Sequence, residues 1–346
     1  MSQIRASNGV AVIGADVVRT QSESLLQSAV RRLLRNRFAV VGIVIIFLFV
    51  LTALFADRIA LKPYDVQSLR EANSAPSWMF GVFPMMIPVG EAGGYVKVID
   101  TYPLGTDALG RDIFSRLVYG ARISLFVALI GPLTALVLGL SLGLLAGFSG
   151  GWVDNIIMRI TDVMYAFPTL LFIILLMAFF RPSTGQLEAG TLAFALNRLD
   201  ASMGGLFFIF IGIGLTSWMQ LARLTRGLVL SVRENEYIQA ATSLGASNWR
   251  IMTRHILPNI LGPIVVTETL TIPRYISYEA FLSFIGLGVN PPTPSWGAMI
   301  SEGAPAIRSY PHHALFPALA LFLIMFAFNF LGDGLRDALD PRMKQP

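Results

Sequence analysis

Long runs of apolar residues without charge alternate with polar segments along this chain of 346 residues. A helix needs about 20 consecutive, mostly apolar residues to cross a bilayer. Five uncharged runs come close to or exceed that length, and a sixth run, 256–288, is apolar except for Glu268, Arg274 and Glu279. The pattern predicts an all-α integral membrane protein with six transmembrane helices. The uncharged runs are 38–56, 123–148, 163–180, 203–222 and 314–332.

Basic residues are concentrated on one side of this predicted topology. The opposite-side loops 181–202 and 289–313 are poor in them, with Arg181, Arg198 and Arg308. The positive-inside rule therefore places both termini in the cytoplasm, which an even number of spans also requires. The basic residues on the predicted inner side are Arg31, Arg32, Arg35, Arg37, Arg223, Arg226, Arg233, Arg250, Arg254, Arg336, Arg342 and Lys344.

The runs divide the chain into five predicted regions. An extracytoplasmic loop would contain an insertion at about 70–100, whose role the sequence does not reveal, and an interfacial helix before the second span. The core would contain five helices and a helical hairpin at 234–258 between spans four and five. The regions are a cytoplasmic N-terminal tail at 1–37, the first transmembrane helix at 38–56, the loop at 57–120, the core at 121–333 and a cytoplasmic C-terminal tail at 334–346.

The composition supports a membrane protein. Hydrophobic residues make up 54% of the chain and charged residues 14%, and the mean hydropathy is +0.64. Soluble domains carry about 25% charged residues. The chain has no cysteine, which excludes disulfides and cysteine-bound metals. The net charge of +5 is explained by the basic flanks of the spans, so nucleic-acid binding is disfavoured.

Some residues are predicted to serve packing rather than chemistry. Glycines within the runs let helices approach closely in lipid. Methionines of the insertion are more often packing residues than metal ligands. Trp296, which follows a proline-rich loop, is expected at the outer membrane interface, where tryptophan is favoured. The glycines are Gly131, Gly139, Gly143, Gly147, Gly212 and Gly214, and the methionines are Met79, Met85 and Met86.

The hairpin is a polar, basic island between apolar runs. A helix is predicted from Glu234, and Ala241 and Gly245 then lie on one face, with Ala240 beside them. Gly245 ends this helix, and Ser247 caps a second short helix through Arg254 before Pro258 marks the return to the membrane. A smooth strip of small residues lets a partner approach the backbone. An ordinary interfacial connector is the alternative.

The hairpin resembles a known signature. Gln239, Ala240, Ala241 and Gly245, followed by Leu257-Pro258, are similar to the EAA motif of ATP-binding-cassette (ABC) importer permeases. In that family this loop forms the coupling helix that sits in a groove of the ATPase subunit. The chain departs from the motif at Gln239, where the family has Glu, so the resemblance implies no salt bridge there. His255 replaces a frequent Ile, a variation seen in the peptide branch.

Further motifs extend the resemblance over nearly the whole chain, about 35–55 and 100–343. They are similar to the dipeptide, oligopeptide and nickel permease branch, and most closely to its C-type subunit. The segments are 102–112 (YPLGTDALGRD), 115–116 (SR), 119–124 (YGARIS), 150–154 (GGWVD), 166–168 (AFP), 283–288 (SFIGLG), 291–297 (PPTPSWG) and 331–341 (LGDGLRDALDP).

The resemblance implies a permease subunit of an ATP-driven importer in a prokaryotic cell (inner) membrane, with di- or oligopeptides as cargo. It implies four kinds of association: a homologous permease, two ABC ATPase subunits, an extracytoplasmic solute-binding protein and the membrane. Nickel or another small solute remains an alternative cargo. A self-contained secondary transporter is the other class of function, but it would need inverted repeats or broken polar helices, and neither is evident.

Charged residues within the spans are candidates for function because they are costly in lipid. Glu268 and Glu279 flank Arg274 in the fifth run. Either glutamate would line a translocation path and meet a peptide amine, or would pair within the bundle. Arg159 and Asp162 lie one helical turn apart and are expected to neutralise each other.

Several kinds of site are missing from the sequence. No phosphate-binding loop of the Gly-x-x-x-x-Gly-Lys-Ser/Thr type occurs, so the chain itself would not bind ATP. The histidines are His255, His312 and His313, and the adjacent pair has no carboxylate cluster beside it. No catalytic triad or nucleophile elbow stands out. The chain is therefore predicted to be a transport subunit with no catalytic site, no metal and no cofactor.

Overall fold

The structure, a computed structural model, describes residues 25–181 and 191–339. The described part is mostly helical, with irregular segments and a pair of two-residue strands. The helices are α1 (Leu25–Arg35), α2 (Arg37–Leu54), α3 (Ala56–Ile59), α4 (Met79–Val82), α5 (Ile113–Ser149), α6 (Gly151–Tyr165), α7 (Thr169–Phe180), α8 (Leu192–Ser202), α9 (Phe207–Arg233), α10 (Glu236–Ser243), α11 (Asn248–Phe284), α12 (Trp296–Gly303) and α13 (His312–Leu339).

Five helices in the described part of the chain, α2, α5, α9, α11 and α13, are each long and apolar enough to cross a membrane. The third predicted run, 163–180, is not one straight helix. It contains the end of α6 and all of α7, and these two helices meet at an angle of 78°. The break falls before Pro168, which disfavours helical geometry at the residue ahead of it. α7 has 12 residues, about 18 Å, which is shorter than a bilayer core. Counting this bent pair as one span gives six.

The helix ends differ from the predicted boundaries. α5 begins at Ile113, so no separate interfacial helix occupies the end of the predicted 57–120 loop. Asp112 fixes this start, because its carboxylate accepts hydrogen bonds from the backbone N–H groups of Phe114 and Ser115. The N-terminal tail contains helix α1, and α13 continues past residue 333. The rest of the two predicted tails, 1–24 and 340–346, lies outside the described residues.

A stripe of glycines packs α5 onto α9. A Cβ built on Gly139 or Gly143 would lie 2.6 Å from the carbonyl oxygen of Trp218 or Ala222, respectively. A Cβ on Gly147 would lie 2.7 Å from the side chain of Val229. These distances leave no room for a side chain, so the prediction that the glycines serve helix packing is confirmed at these positions.

Residues 57–112 fold into a small module with its own core. Its two strands, β1 (Ser74–Ala75) and β2 (Lys97–Val98), pair in parallel. Met79 and Met86 are buried in its apolar cluster, which confirms packing for both, whereas Met85 is about half exposed. The hydroxyl of Tyr95 donates to the carbonyl oxygen of Ser309 and so ties the module to the segment before α13.

Trp296, which the sequence places at the outer membrane interface, is buried inside the protein and is not an exposed anchor. It is fully buried in a cluster shared with α2, α5 and α13, and its indole N–H donates to the carbonyl oxygen of Leu117 at 3.0 Å. Gly120 makes room for it, because a Cβ there would lie 2.8 Å from the indole ring. The tryptophan therefore joins the loop after α11 to the start of α5.

Candidate functional site

The hairpin joins α9 to α11 through the short helix α10. Gly245 ends α10 with φ +79°, a conformation that favours glycine, as the sequence predicts. The hydroxyl of Ser247 accepts a hydrogen bond from the backbone N–H of Arg250, which confirms the predicted cap. The second short helix is not separate, however. It is the first turn of α11, which continues through a π-helical segment, Ile251–Ile256. Pro258 lies inside this continuous helix.

A buried apolar contact fixes the hairpin to the long helices. Ile238 of α10 is buried in a cluster with Ile251, Ile256 and Ile260 of α11 and with Val229 of α9. The connection between α9 and α10 is short, since α9 ends at Arg233 and α10 begins at Glu236. Helix α10 is therefore packed against both long helices and joined closely to α9.

The far side of the hairpin is open. Ala240 and Gly245 are exposed, Ala241 is half-buried, and a Cβ built on Gly245 would meet no atom within 4 Å. Leu244 is 88% exposed and Trp249 is 72% exposed. Large apolar side chains this accessible are typical of a contact surface. Sequence reasoning missed both, although two bulky apolar residues in a polar island were a usable signal.

The other predicted hairpin residues are Gln239, Leu257 and Pro258. The side-chain amide of Gln239 donates to the carbonyl oxygen of Glu234 at 3.2 Å, within the hairpin itself. Leu257 is half-buried against the apolar cluster around Ile238, and Pro258 is exposed. We define the hairpin surface as Tyr237, Ala240, Ala241, Leu244, Gly245 and Trp249.

A cleft of about 270 Å³ lies among the α6–α7 bend, α9 and α11. Arg274 and Tyr275 line it, whereas Glu268 and Glu279 do not. Glu268 is buried and accepts a hydrogen bond from the Tyr275 hydroxyl at 3.4 Å. Glu279 is fully buried and accepts one from Ser283 at 2.6 Å. Among residues 25–181 and 191–339, the charged residue that lines the cleft is Arg274, the arginine between the two glutamates.

A buried charge cluster lies where the 57–112 module meets α5. Asp107 pairs with Arg111 at 2.6 Å and with Arg116, and Glu302 of α12 pairs with the same arginines at 2.7 and 2.8 Å. Burial of Asp107 opposes its ionisation, but the charges of Arg116 and Arg111 outweigh burial and lower the pKa of that carboxyl below its ordinary value. Glu302 lies 186 positions from Arg116 along the chain, so this pair has no local signal in the sequence.

Ion pairs also attach α6 to α9. Asp154 pairs with Arg226 at 2.5 Å, and Asp162 pairs with Arg223 at 2.8 Å. The expected neutralisation of Asp162 by Arg159 was therefore wrong, because the partner comes from a neighbouring helix. Thr161 is the one buried residue of α6. Polar contacts consequently contribute much of the attachment of this helix.

Metal-binding side chains do not gather in the described ranges. Among residues 25–181 and 191–339, no group of three or more histidine, aspartate or glutamate side chains is placed to hold a metal ion. His312 and His313 are both buried at the start of α13. His312 is closely packed, since a Cβ on Gly105 would lie 3.0 Å from its ring, whereas His313 lines a cavity of about 360 Å³ beside Asp107 and Arg116.

Two family models match the chain. One, described as a binding-protein-dependent transport system inner membrane component, matches residues 139–345. The other, the N-terminal TM domain of oligopeptide transport permease C, matches residues 24–76. Together they include the hairpin, the cleft and the first span.

Curated relatives match along most of their length. The oligopeptide transport system permease protein OppC of Bacillus subtilis is 39% identical over 96% of this chain and 94% of its own. OppC of Escherichia coli is 38% identical over 95% of each chain. The glutathione transport system permease protein GsiD of Pectobacterium atrosepticum is 39% identical over 91% of this chain and 90% of its own.

A solved structure shares the fold. The MetNI methionine ABC transporter, in an inward-facing conformation, contains a chain that matches with a TM-score of 0.51 and 17% identity. The match covers 66% of this chain and 98% of that one. At this identity the likeness concerns the fold alone.

Proposed function

Because this chain belongs to the family of binding-protein-dependent transport system inner membrane components, we propose that it imports di- or oligopeptides as one permease of an ATP-driven ABC importer. The observation that carries this proposal is the hairpin surface, an exposed apolar and small-residue patch fixed to two spanning helices. The relatives named above are permeases of oligopeptide and glutathione transport systems. They do not favour a self-contained secondary transporter or a nickel importer.

In this proposal the hairpin surface docks in a groove of a cytoplasmic ABC ATPase subunit. Residues Gln239, Ala240, Ala241, Gly245, Leu257 and Pro258 form the coupling segment, with Leu244 and Trp249 added from the structure. ATP hydrolysis occurs in the ATPase subunits. Closure of the ATPases displaces α10, and the contact of Ile238 with α11 carries the movement to the cleft.

The remaining partners follow from the same proposal. A homologous second permease completes the translocation path, and an extracytoplasmic binding protein delivers the peptide. Both termini lie in the cytoplasm of a prokaryotic cell, on the side of the hairpin, and the 57–112 module lies outside. The distribution of arginines along the chain supports this orientation.

The docking surface is tested by the substitution Gly245→Arg in the complex of permeases and ATPases. The new side chain would stand in the open space above Gly245 and separate the two surfaces. We expect the ATPase subunits to be lost on co-purification. Gly286→Arg is the matched control, because Gly286 also has positive φ, +83°, and open space but lies beyond the other end of α11. Equal retention of the ATPases by both variants would refute the docking role.

A further inference from the structure

An arginine lines the cleft from α11, a helix long and apolar enough to cross a membrane. Arg274 is in the second half of α11, ten residues before that helix ends at Phe284. At 1.5 Å per residue this separation is about 15 Å, half the thickness of a bilayer core. Arg274 is an exposed residue of the isolated chain and lines the cleft. An ionisable residue at this depth marks a functional site by default, because its burial in lipid is costly.

Arg274 differs from other arginines of the bundle in its partner. Arg181, Arg223 and Arg226 each pair with an aspartate within 2.8 Å. Among the described residues, no carboxylate oxygen lies within 4.0 Å of the Arg274 guanidinium nitrogens, and its hydrogen bond goes to the side-chain oxygen of Gln220 at 3.0 Å. The hydrogen bond to this neutral amide orients the guanidinium and leaves it without an ion-pair partner among the described residues. The cation therefore remains available to an anion that enters the cleft.

The walls around the guanidinium suit an amphipathic molecule. The cleft is lined by the aromatic residues Tyr165, Phe167, Tyr275 and Tyr278 together with Thr216 and Thr271. Binding sites for small organic molecules commonly combine apolar walls with a few polar groups that fix orientation. A planar guanidinium binds a carboxylate through two parallel hydrogen bonds. The cleft thus offers apolar contact for side chains and one cationic group for a carboxylate.

We infer that Arg274 binds the carboxylate of the transported peptide in this cleft and that Gln220 holds the guanidinium in position. The inference rests on the proposed function and names the chemical group that the path recognises. It replaces the expectation that Glu268 or Glu279 meets a peptide amine, since neither glutamate lines the cleft.

The test uses the complete importer, with its binding protein, reconstituted into vesicles. Uptake of a tripeptide with a free carboxylate is compared with uptake of the same tripeptide as its C-terminal amide. The ratio of variant to wild-type uptake is taken for each peptide, so that any preference of the binding protein cancels. We expect Arg274→Gln to lower this ratio for the acid about tenfold more than for the amide, the size of a lost charged hydrogen bond. Arg274→Lys keeps the positive charge, so its extra loss of uptake for the acid should be smaller than that of Arg274→Gln.

Arg159→Gln is the control, because Arg159 is an exposed arginine of α6 outside the cleft lining, and it should affect both peptides equally. Equal losses for acid and amide in Arg274→Gln would overturn the inference and would indicate a pairing with the second permease instead.

Co-purification of the ATPases shows whether each variant assembles. If Arg274→Gln does not assemble, Arg274→Ala replaces it, and equal losses of acid and amide uptake in Arg274→Ala would overturn the inference. Failure of the wild-type importer to take up either peptide would count against the proposed function rather than against Arg274.

Discussion

Gly131 of α5 lies directly against the ring of Tyr275 of α11. A Cβ built on Gly131 would stand 2.3 Å from the ring carbon Cδ2 of Tyr275, much closer than two carbon atoms can approach. Tyr275 also lines the cleft and donates a hydrogen bond to Glu268. The glycine therefore fixes the position of a residue that serves both the helix packing and the cleft.

Gly131→Ala should lower the stability of the permease by about 1–3 kcal/mol, because the added methyl group must displace the Tyr275 ring. Thermal unfolding in detergent measures this change. Gly227→Ala in α9 is the control, because a Cβ at Gly227 meets no atom within 4 Å and alanine is the better helix former. Unchanged stability in Gly131→Ala would contradict the close contact.

Asp107 should make the protein sensitive to acid. Its folded-state pKa lies below its ordinary value of about 3.9, so its stabilising contribution is present above about pH 4 and is lost as the pH falls through the lowered pKa. Asp107→Asn should cost about 3 kcal/mol at pH 7, because Arg111 and Arg116 lose a buried partner.

The unfolding temperatures of the wild-type protein and of Asp107→Asn are measured between pH 7 and about pH 2. The difference between them should shrink in the acid range, while other titrating groups affect both alike. A difference that stays constant down to the lowest pH would show that Asp107 does not contribute through its charge.

Removal of the charge of Asp154 should loosen α6. Asp154 forms two hydrogen bonds with the guanidinium of Arg226, at 2.5 and 2.6 Å, and Thr161 is the one buried residue of α6. In Asp154→Asn we expect faster amide hydrogen exchange within Gly151–Tyr165 and unchanged exchange in α13. Asp162→Asn is a milder comparison, because its pair with Arg223 is exposed. Equal protection of α6 in all three proteins would argue against this role.

Glu279→Gln should leave the rate of peptide uptake within about twofold of wild type. A twofold change in rate corresponds to well under 1 kcal/mol of activation free energy. The amide oxygen of glutamine can still accept the hydrogen bond from Ser283, and the residue does not line the cleft. Peptide uptake by the reconstituted importer measures the effect, normalised to the amount of assembled complex. A large loss of uptake with normal assembly would place Glu279 on the path.

Local patterns in the sequence were sufficient for part of the site. The turn at Gly245 and the cap at Ser247 follow from residue preferences within a few positions, and the structure confirms both. The break between α6 and α7 also had a local signal in Pro168, although the apolar run 163–180 concealed it. An uncharged run shows that a segment suits lipid, but it does not show where the helix bends.

Contacts between distant residues could not be predicted in this way. Arg116 and Glu302 lie 186 positions apart, and Asp162 pairs with Arg223 rather than with its helical neighbour Arg159. The burial of Trp296 beside Gly120 was not evident from its residue type and the proline-rich loop before it. In each case the partner is set by how helices cross, which residue type and spacing do not determine.

The sequence by itself determined that this is a helical membrane protein with a polar hairpin and the motifs of a permease family, because apolar length, arginine distribution and small-residue spacing are local properties of the chain. The tertiary structure decided which charges face the cleft. Glu268, Arg274 and Glu279 are equivalent as charged residues in one apolar run, but helix rotation and packing bury the two glutamates and direct the arginine into open space.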